Sequence, residues 1–320
     1  MRPCCFLLAS LLAMACAPHV AHADAPCTSD KDDDDEHDGE HEHAHDHTHA
    51  RGPATGGASG TLEEVRDAKP NGQVDIHAFA GTVHVTGWAQ NQLKVHANVT
   101  GDCRVEITPS GDRYGVRLEC AHGPGSAELE VQVPQASTVE VRTMGAGITV
   151  QGVSGPLRLQ SVTSDISVKG GAPTEIEART TNGNIHIDAA TPQLRAQSVS
   201  GDVRVTGARG KANVHTVSGD CSLAGGDFSD VRFESVSGEM TFTGGVVGSF
   251  EVQSHSGDVA LHLPPATNAD VELRTFSGDL MVDMGNGPKL DSDHELNTKL
   301  GAGGARVRVR TFSGDVKVTR

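Results

Sequence analysis

An eight-residue phrase that returns at nearly constant spacing constrains this chain more than any other feature. Ser198 to Val205 reads SVSGDVRV, and it recurs with tolerance as TTNGNIHI from Thr180, TVSGDCSL from Thr216, SVSGEMTF from Ser235, SHSGDVAL from Ser254, TFSGDLMV from Thr275 and TFSGDVKV from Thr311. Its acidic or amide position falls at Asp165, Asn184, Asp202, Asp220, Glu239, Asp258, Asp279 and Asp315, in steps of 18 or 19 residues followed by 21 and 36. Self-similarity at such a period is the signature of stacked units, each too small to bury a core alone.

The residues inside one period say what kind of unit is stacked. In VRFES from Val231, LRAQS from Leu194 and FEVQS from Phe250, apolar or small residues alternate with polar ones, the period-2 pattern of a half-buried strand. The inward set ends in a hydroxyl, at Ser161, Thr180, Ser198, Thr216, Ser235, Ser254, Thr275 and Thr311 among others. Ser-Gly-Asp follows, where Gly permits a tight bend and Asp or Asn satisfies free turn amides. Alternation then resumes at Val203 and Val205, Met240 and Phe242, Val259 and Leu261. The expected fold is all-β: a parallel β-solenoid with coils of about 18–19 residues and two short strands per coil.

The N-terminus points to export. Arg2 precedes the apolar run from Phe6 to Ala17, and Ala21-His-Ala23 has the small-x-small form of a cleavage site, which predicts a signal peptide over residues 1–23. A competing reading takes Ala13 to Cys16 as a weak lipoprotein box, with membrane anchoring at Cys16. Residues 24–60 then form an acidic, His-rich tail and Gly-rich linker of disordered composition. Asp30 to Asp46 alone carries ten acids against Lys31, a charge of −9 out of the chain's −16. In that tail His37, His41, His43, His45, His47 and His49 alternate with acidic and small residues, a donor set that suits Zn²⁺, Ni²⁺ or Cu²⁺ without a preformed cage.

Residues 61–135 read as an N-terminal β region ahead of the solenoid at 136–320. CRVEIT from Cys103 and YGVRLEC from Tyr114 flank a turn cluster at Pro109 to Arg113, the pattern of a hairpin. Centring it on Gly111 and Asp112 sets Val105 opposite Leu118, Ile107 opposite Val116 and Cys103 opposite Cys120, and an exported compartment permits the disulfide. Cys27 remains a competing partner for either cysteine, whereas Cys221 takes the inward position of Val203 and Met240 and reads as a core residue. Residues 283–305 break the pattern with a polar, Gly-rich stretch, expected to be an irregular coil or inserted loop between the last two rungs.

Gly81 to Trp88 (GTVHVTGW), Leu93 to Ala97 (LKVHA) and the later series of SVSGDVxV phrases together resemble the bacterial family of β-strand-repeat proteins labelled "putative adhesins", a domain of unknown function. The similarity covers roughly Leu62 to Arg320. The resemblance implies an exported, non-catalytic β-solenoid with an adhesive or envelope role, in the periplasm, the cell envelope or at the cell surface, and it brings no catalytic residues with it.

The residues agree that this is no enzyme. The repeated acid sits directly after Gly, where a turn requires it, there is one Gly-Asp per coil rather than the two of calcium-binding nonapeptide repeats, and no serine stands in a G-x-S-x-G elbow with a partner. No cofactor is required. With net charge −16, one Trp and one Tyr, the chain is unsuited to nucleic acid. Two functions remain: binding of an envelope or surface component, protein or glycan, through outward faces such as Arg195, Gln197, Arg232, Glu234, Arg274 and Arg308, or metal sequestration by the His tract.

Overall fold

The structure, a computed structural model, describes residues 60–283 and 289–320. The expected signal peptide, the acidic tract with His37, His41, His43, His45, His47 and His49, and Cys16 and Cys27 all lie outside the described residues. Every regular element described is a β-strand, and all of them belong to one continuous sheet.

The first five strands are β1 (Gly60–Asp67), β2 (Gln73–Trp88), β3 (Gln92–Ser110), β4 (Arg113–Pro134) and β5 (Thr138–Gln151). β3 and β4 form the expected hairpin, with Cys103 opposite Cys120, Val105 opposite Leu118 and Ile107 opposite Val116. β1, starting at Gly60 one residue inside the expected linker, lies antiparallel on β3, while β2 pairs in parallel with both β4 and β5. The N-terminal region thus contributes its own coil, β2, directly beneath the array.

The middle runs through β6 (Leu157–Gln160), β7 (Ile166–Lys169), β8 (Ile176–Thr180), β9 (Ile185–Asp188), β10 (Gln193–Ser200), β11 (Val203–Ser218), β12 (Cys221–Ser237), β13 (Met240–Ser256) and β14 (Val259–His262). Their ladders are parallel and in register with the repeat: Leu194 pairs with Ile176 and Ala212, and Val203 with Ile185 and Cys221. Each inward position therefore becomes a column. Val139, Leu157, Ile176, Leu194, Ala212, Val231 and Phe250 stack in one of these, and Ile148, Ile166, Ile185, Val203, Cys221, Met240 and Val259 in another, all buried. Apolar side chains repeated at the inter-strand spacing of about 4.8 Å make a continuous core that no single coil supplies. Burial keeps the Cys221 thiol protonated, its pKa pushed up to about 12.

The C-terminal coils depart from chain order. β15 (Ala269–Ser277) and β16 (Leu280–Asp283) do not stack on β13 and β14; that place is taken by the last strands, β19 (Ala305–Ser313) and β20 (Val316–Thr319). β15 and β16 then pair with the other edges of β19 and β20. Residues 283–305, expected as an irregular coil or loop between the last rungs, instead include β17 (Leu290–Ser292) and β18 (Glu295–Leu300), antiparallel to β16 and β15. The chain overshoots by one coil, caps the stack with reversed strands, and returns to fill the gap.

Candidate functional site

The turn phrase builds one edge of the stack, and each of its positions becomes a column with a separate job. The hydroxyl at its start is turned inward: Ser198, Thr216 and Thr311 are all buried. Its hydrogen goes to a turn carbonyl, from Thr216 Oγ1 to Ser218 O at 3.4 Å, Ser235 Oγ to Ser237 O at 3.2 Å and Thr311 Oγ1 to Ser313 O at 3.1 Å. A buried hydroxyl without a partner would destabilise the coil, so the hydroxyl and the turn satisfy each other.

The glycine is required by both conformation and space. Gly219 has φ of 126°, and a Cβ there would lie 2.5 Å from the carbonyl oxygen of Gly201 one coil away; at Gly257 the corresponding distance to Gly238 is 2.1 Å. The backbones at this edge touch, so any side chain pushes two coils apart.

The acid after the glycine makes a ladder between coils. Asp165 Oδ1 accepts the backbone N–H of Asn184 at 2.7 Å, Asn184 Oδ1 that of Asp202 at 2.9 Å, Asp202 that of Asp220 and Asp220 that of Glu239, the last two at 2.9 Å. It continues through space rather than sequence, from Asp258 to the amide of Asp315 and from Asp315 to that of Asp279, both at 2.9 Å. Glu239, one methylene longer, instead accepts from the hydroxyl of Thr241 at 3.4 Å. These side chains are exposed but occupied: Asp165, Asp202, Asp220, Asp258 and Asp315 each cap the next turn, which is the work of a turn residue.

The residue between the hydroxyl and the second serine went unread in the sequence, and it forms the most unusual surface of the molecule. Register places Phe79, Met144, Val162, Thr181, Val199, Val217, Val236, His255, Phe312 and Phe276 in one column along the outside of the turn edge. Eight of the eleven exposed large hydrophobic side chains among the described residues stand in it, with Phe276 70% and Phe312 50% exposed. Its last three rings are stacked, Phe312 lying 5.0 Å from His255 and 4.9 Å from Phe276 with the ring planes nearly parallel. The signal available in sequence was the x of Ser/Thr-x-Ser-Gly-Asp, where Val and Phe recur at a position that turns ordinarily leave polar.

The outward strand face carries charges in a second kind of column. Across the ladders Glu140, Arg158, Glu177, Arg195, Asn213, Arg232, Glu251, Arg308 and Glu272 follow one another, alternating in sign except at Asn213. Arg232 lies 3.6 Å from Glu251, and Arg308 3.0 Å from Glu272, where its hydrogen bond holds the Glu272 carboxyl below its ordinary value. Of the other outward residues, Gln197 and Glu234 occupy the neighbouring column, with His215 3.3 Å from Glu234, and Arg274 reaches Glu295 at 3.2 Å. His186 and His262 face solvent, and His262 bonds the Thr319 hydroxyl at 2.7 Å.

Cys103 and Cys120 are joined in a disulfide that clamps the hairpin of β3 and β4. Among the described residues no group of three or more His, Cys, Asp or Glu side chains is arranged to hold a metal ion, and no helix is long and apolar enough to cross a membrane, which says nothing of strands.

A family model, Toastrack DUF4097, matches residues 71–319. The chain belongs to the Toastrack DUF4097 family. No curated protein matches the chain. Among solved structures it is similar to a putative adhesin of Parabacteroides merdae, at 8% identity over 82% of this chain and 97% of that one with a TM-score of 0.43. A putative adhesin of Bacteroides fragilis follows at 12% identity, 81% and 97% coverage and a TM-score of 0.41. A putative lipid binding protein of Parabacteroides distasonis has 6% identity, 82% and 98% coverage and a TM-score of 0.37. The family resemblance read from the phrase series is therefore correct, and the family is one of unknown function.

Proposed function

We propose that this Toastrack protein is an exported, non-catalytic β-solenoid that binds an envelope or surface component, an adhesin-like role. The observation that carries the proposal is the fate of the repeated acids. The residues best able to do chemistry, Asp202, Asp220, Asp258, Asp315 and their equivalents, are committed coil after coil to the amides of the next turn. What the stack leaves available is long, regular outward columns, the kind of surface that solenoids use for recognition. The names of its structural neighbours are compatible with adhesion. The signal peptide read from residues 1–23 would place the protein in the periplasm or envelope, with anchoring at Cys16 as the alternative.

A pull-down from envelope fractions with the purified, full-length mature protein tests the proposal. Retention of a protein or glycan component over an unrelated acidic protein supports it; no retention from any fraction overturns it. Fractionation of cells, with globomycin added to reveal lipoprotein processing, tests the compartment.

The spacing of His37, His41, His43, His45, His47 and His49 supports a second role in binding Zn²⁺, Ni²⁺ or Cu²⁺. Neutral imidazole is the ligand and titrates near pH 6.5, so metal should be held at pH 7.5 and mostly released by about pH 5. Calorimetric titration of the mature protein against a version beginning at Thr61 tests this: equal binding by the two would remove the tract from the account.

A further inference from the structure

From Val162 onward the exposed column lies three residues before the acid column, with Asn184 standing for the acid in one coil, so the two run side by side over eight of its ten positions. Ten positions at about 4.8 Å each extend it over roughly 43 Å. A strip of that length, apolar at eight of its ten positions and interrupted by Thr181 and His255, marks a contact surface, whereas scattered exposed Val or Phe would need no explanation.

From this pairing we infer that the turn edge is a docking strip for a polypeptide segment that presents apolar side chains next to basic ones. The inference rests on the reading of the protein as a binding protein and names the class of its partner. Four observations select that occupant. The carboxylates of the edge are exposed at Asp202, Asp220, Glu239, Asp258, Asp279 and Asp315, and the ladder bonds from the next amide are accepted by Oδ1 of Asp202, Asp220, Asp258 and Asp315, so a row of negative charge remains at the surface beside the apolar residues. Basic side chains are the complement of that row. A second copy of the chain would bring an identical row of carboxylates against it, within a protein of net charge −16. An anionic membrane surface is repelled for the same reason. A sugar ring seeking an aromatic face finds both faces of Phe312, the middle ring of the stack, covered by His255 and Phe276, so that ring offers only its edge. The stacked rings form the largest apolar feature of the strip, where the strongest anchoring is expected.

The column itself supplies substitutions that leave the fold intact, because Thr181 and Asn184 already stand in the two columns. Val199→Thr, Val217→Thr and Val236→Thr together remove apolar surface; Asp202→Asn, Asp220→Asn and Asp258→Asn together remove charge while keeping the Oδ1 acceptor. The full-length mature protein is passed over an immobilised amphipathic peptide of leucine and lysine, with a leucine–glutamate peptide as control. The expected result is binding of the lysine peptide only, weakened roughly tenfold or more by either triple variant with the melting temperature unchanged. Affinity unchanged in the threonine variant would overturn the inference, since binding would then come from the acidic tract or general charge. Sedimentation that reveals self-association abolished by that variant would overturn it in favour of a second copy. Phosphatidylglycerol or phosphatidylcholine vesicles bound by wild type and not by that variant would overturn it in favour of lipid. A threonine variant that still captures the same envelope component as wild type removes the strip and leaves the proposed function standing; failure of wild type to capture anything removes the function itself.

Discussion

The middle of the array and its C-terminal end use the same phrase yet stack by different rules, and the difference shows what determines the order of coils. From β6 to β14 each coil lies on its predecessor in sequence, so proximity along the chain and complementarity between columns give the same answer. Beyond β14 they conflict. Stacking in chain order would set Glu272 against Glu251, and like charges directly opposite are unfavourable. With β19 inserted, Arg308 lies between the two glutamates, the carboxylate ladder passes from Asp258 through Asp315 to Asp279, and Phe312 stacks between His255 and Phe276. Chain order yields where the columns agree on another arrangement. The excursion also leaves antiparallel strands at the C-terminal end, matching β1 and β3 at the other, so both ends finish in reversed strands.

The largest effect separates inside from outside in the regular middle. Phe242 is 1% exposed, with Phe250 4.6 Å and Phe228 5.5 Å from it, ring to ring. Phe242→Asp places a carboxylate among them and should cost about 4 kcal/mol or more, while Arg204→Asp on the outer face should change stability by under about 0.5 kcal/mol. Urea melts compare the two, and equal losses would mean that the inward and outward columns are misassigned.

Glycine substitution then tests whether the last coil is interior. Gly314, six residues from the C-terminus, has φ of 130°, and a Cβ on it would lie 2.3 Å from the carbonyl oxygen of Gly257. Gly314→Ala should therefore destabilise as much as Gly219→Ala in the middle, by about 2 kcal/mol or more. A near-neutral Gly314→Ala beside a damaging Gly219→Ala, read from thermal unfolding, would return the final strands to a frayed end.

A smaller effect probes the charge column. Arg308→Glu would put three carboxylates in succession with those of Glu251 and Glu272 and should cost about 1 kcal/mol, reduced by salt. The same substitution at Arg306, an exposed residue opposite Ser249 and Asp270, should cost less. The comparison is read as a difference in melting temperature at low and high ionic strength.

The smallest effect is in pH. The hydrogen bond from Arg308 lowers the Glu272 pKa from 4.5, so folding favours the ionised carboxylate. That contribution is complete above about pH 4.5 and disappears as pH falls through the lower folded value. Because the pair is partly exposed, it should amount to a fraction of a kcal/mol, detectable as a shallower acid-side loss of melting temperature in Glu272→Gln.

Much of the fold was legible because a repeat is read many times. Period-2 alternation at Leu194, Val231 and Phe250 fixed which residues face inward, and the turn signal from Pro109 to Arg113 fixed a hairpin register that places Cys103 opposite Cys120. The acid after each glycine was identified as a turn residue from its position alone. The insertion of β19 was not legible, since a step of 36 residues fits two periods in chain order as well as an overshoot and return, and the choice depends on cross-strand charges that only register defines. The apolar column escaped for a related reason: a single Val199 or Phe276 in a turn is unremarkable, and only stacking turns the series into a strip.

The order of the last coils is the central claim, and cysteine cross-linking tests it most directly. Paired positions on adjacent parallel strands lie about 4.8 Å apart, within the reach of a disulfide, and positions two strands apart lie beyond it. With Cys27→Ser in the background, Glu251→Cys with Arg308→Cys should oxidise to a cross-linked monomer under native conditions, whereas Glu251→Cys with Glu272→Cys should not; Cys221 is buried, which leaves both results readable. A cross-link between positions 251 and 272 and none between 251 and 308 would contradict the inserted coil and restore stacking in chain order.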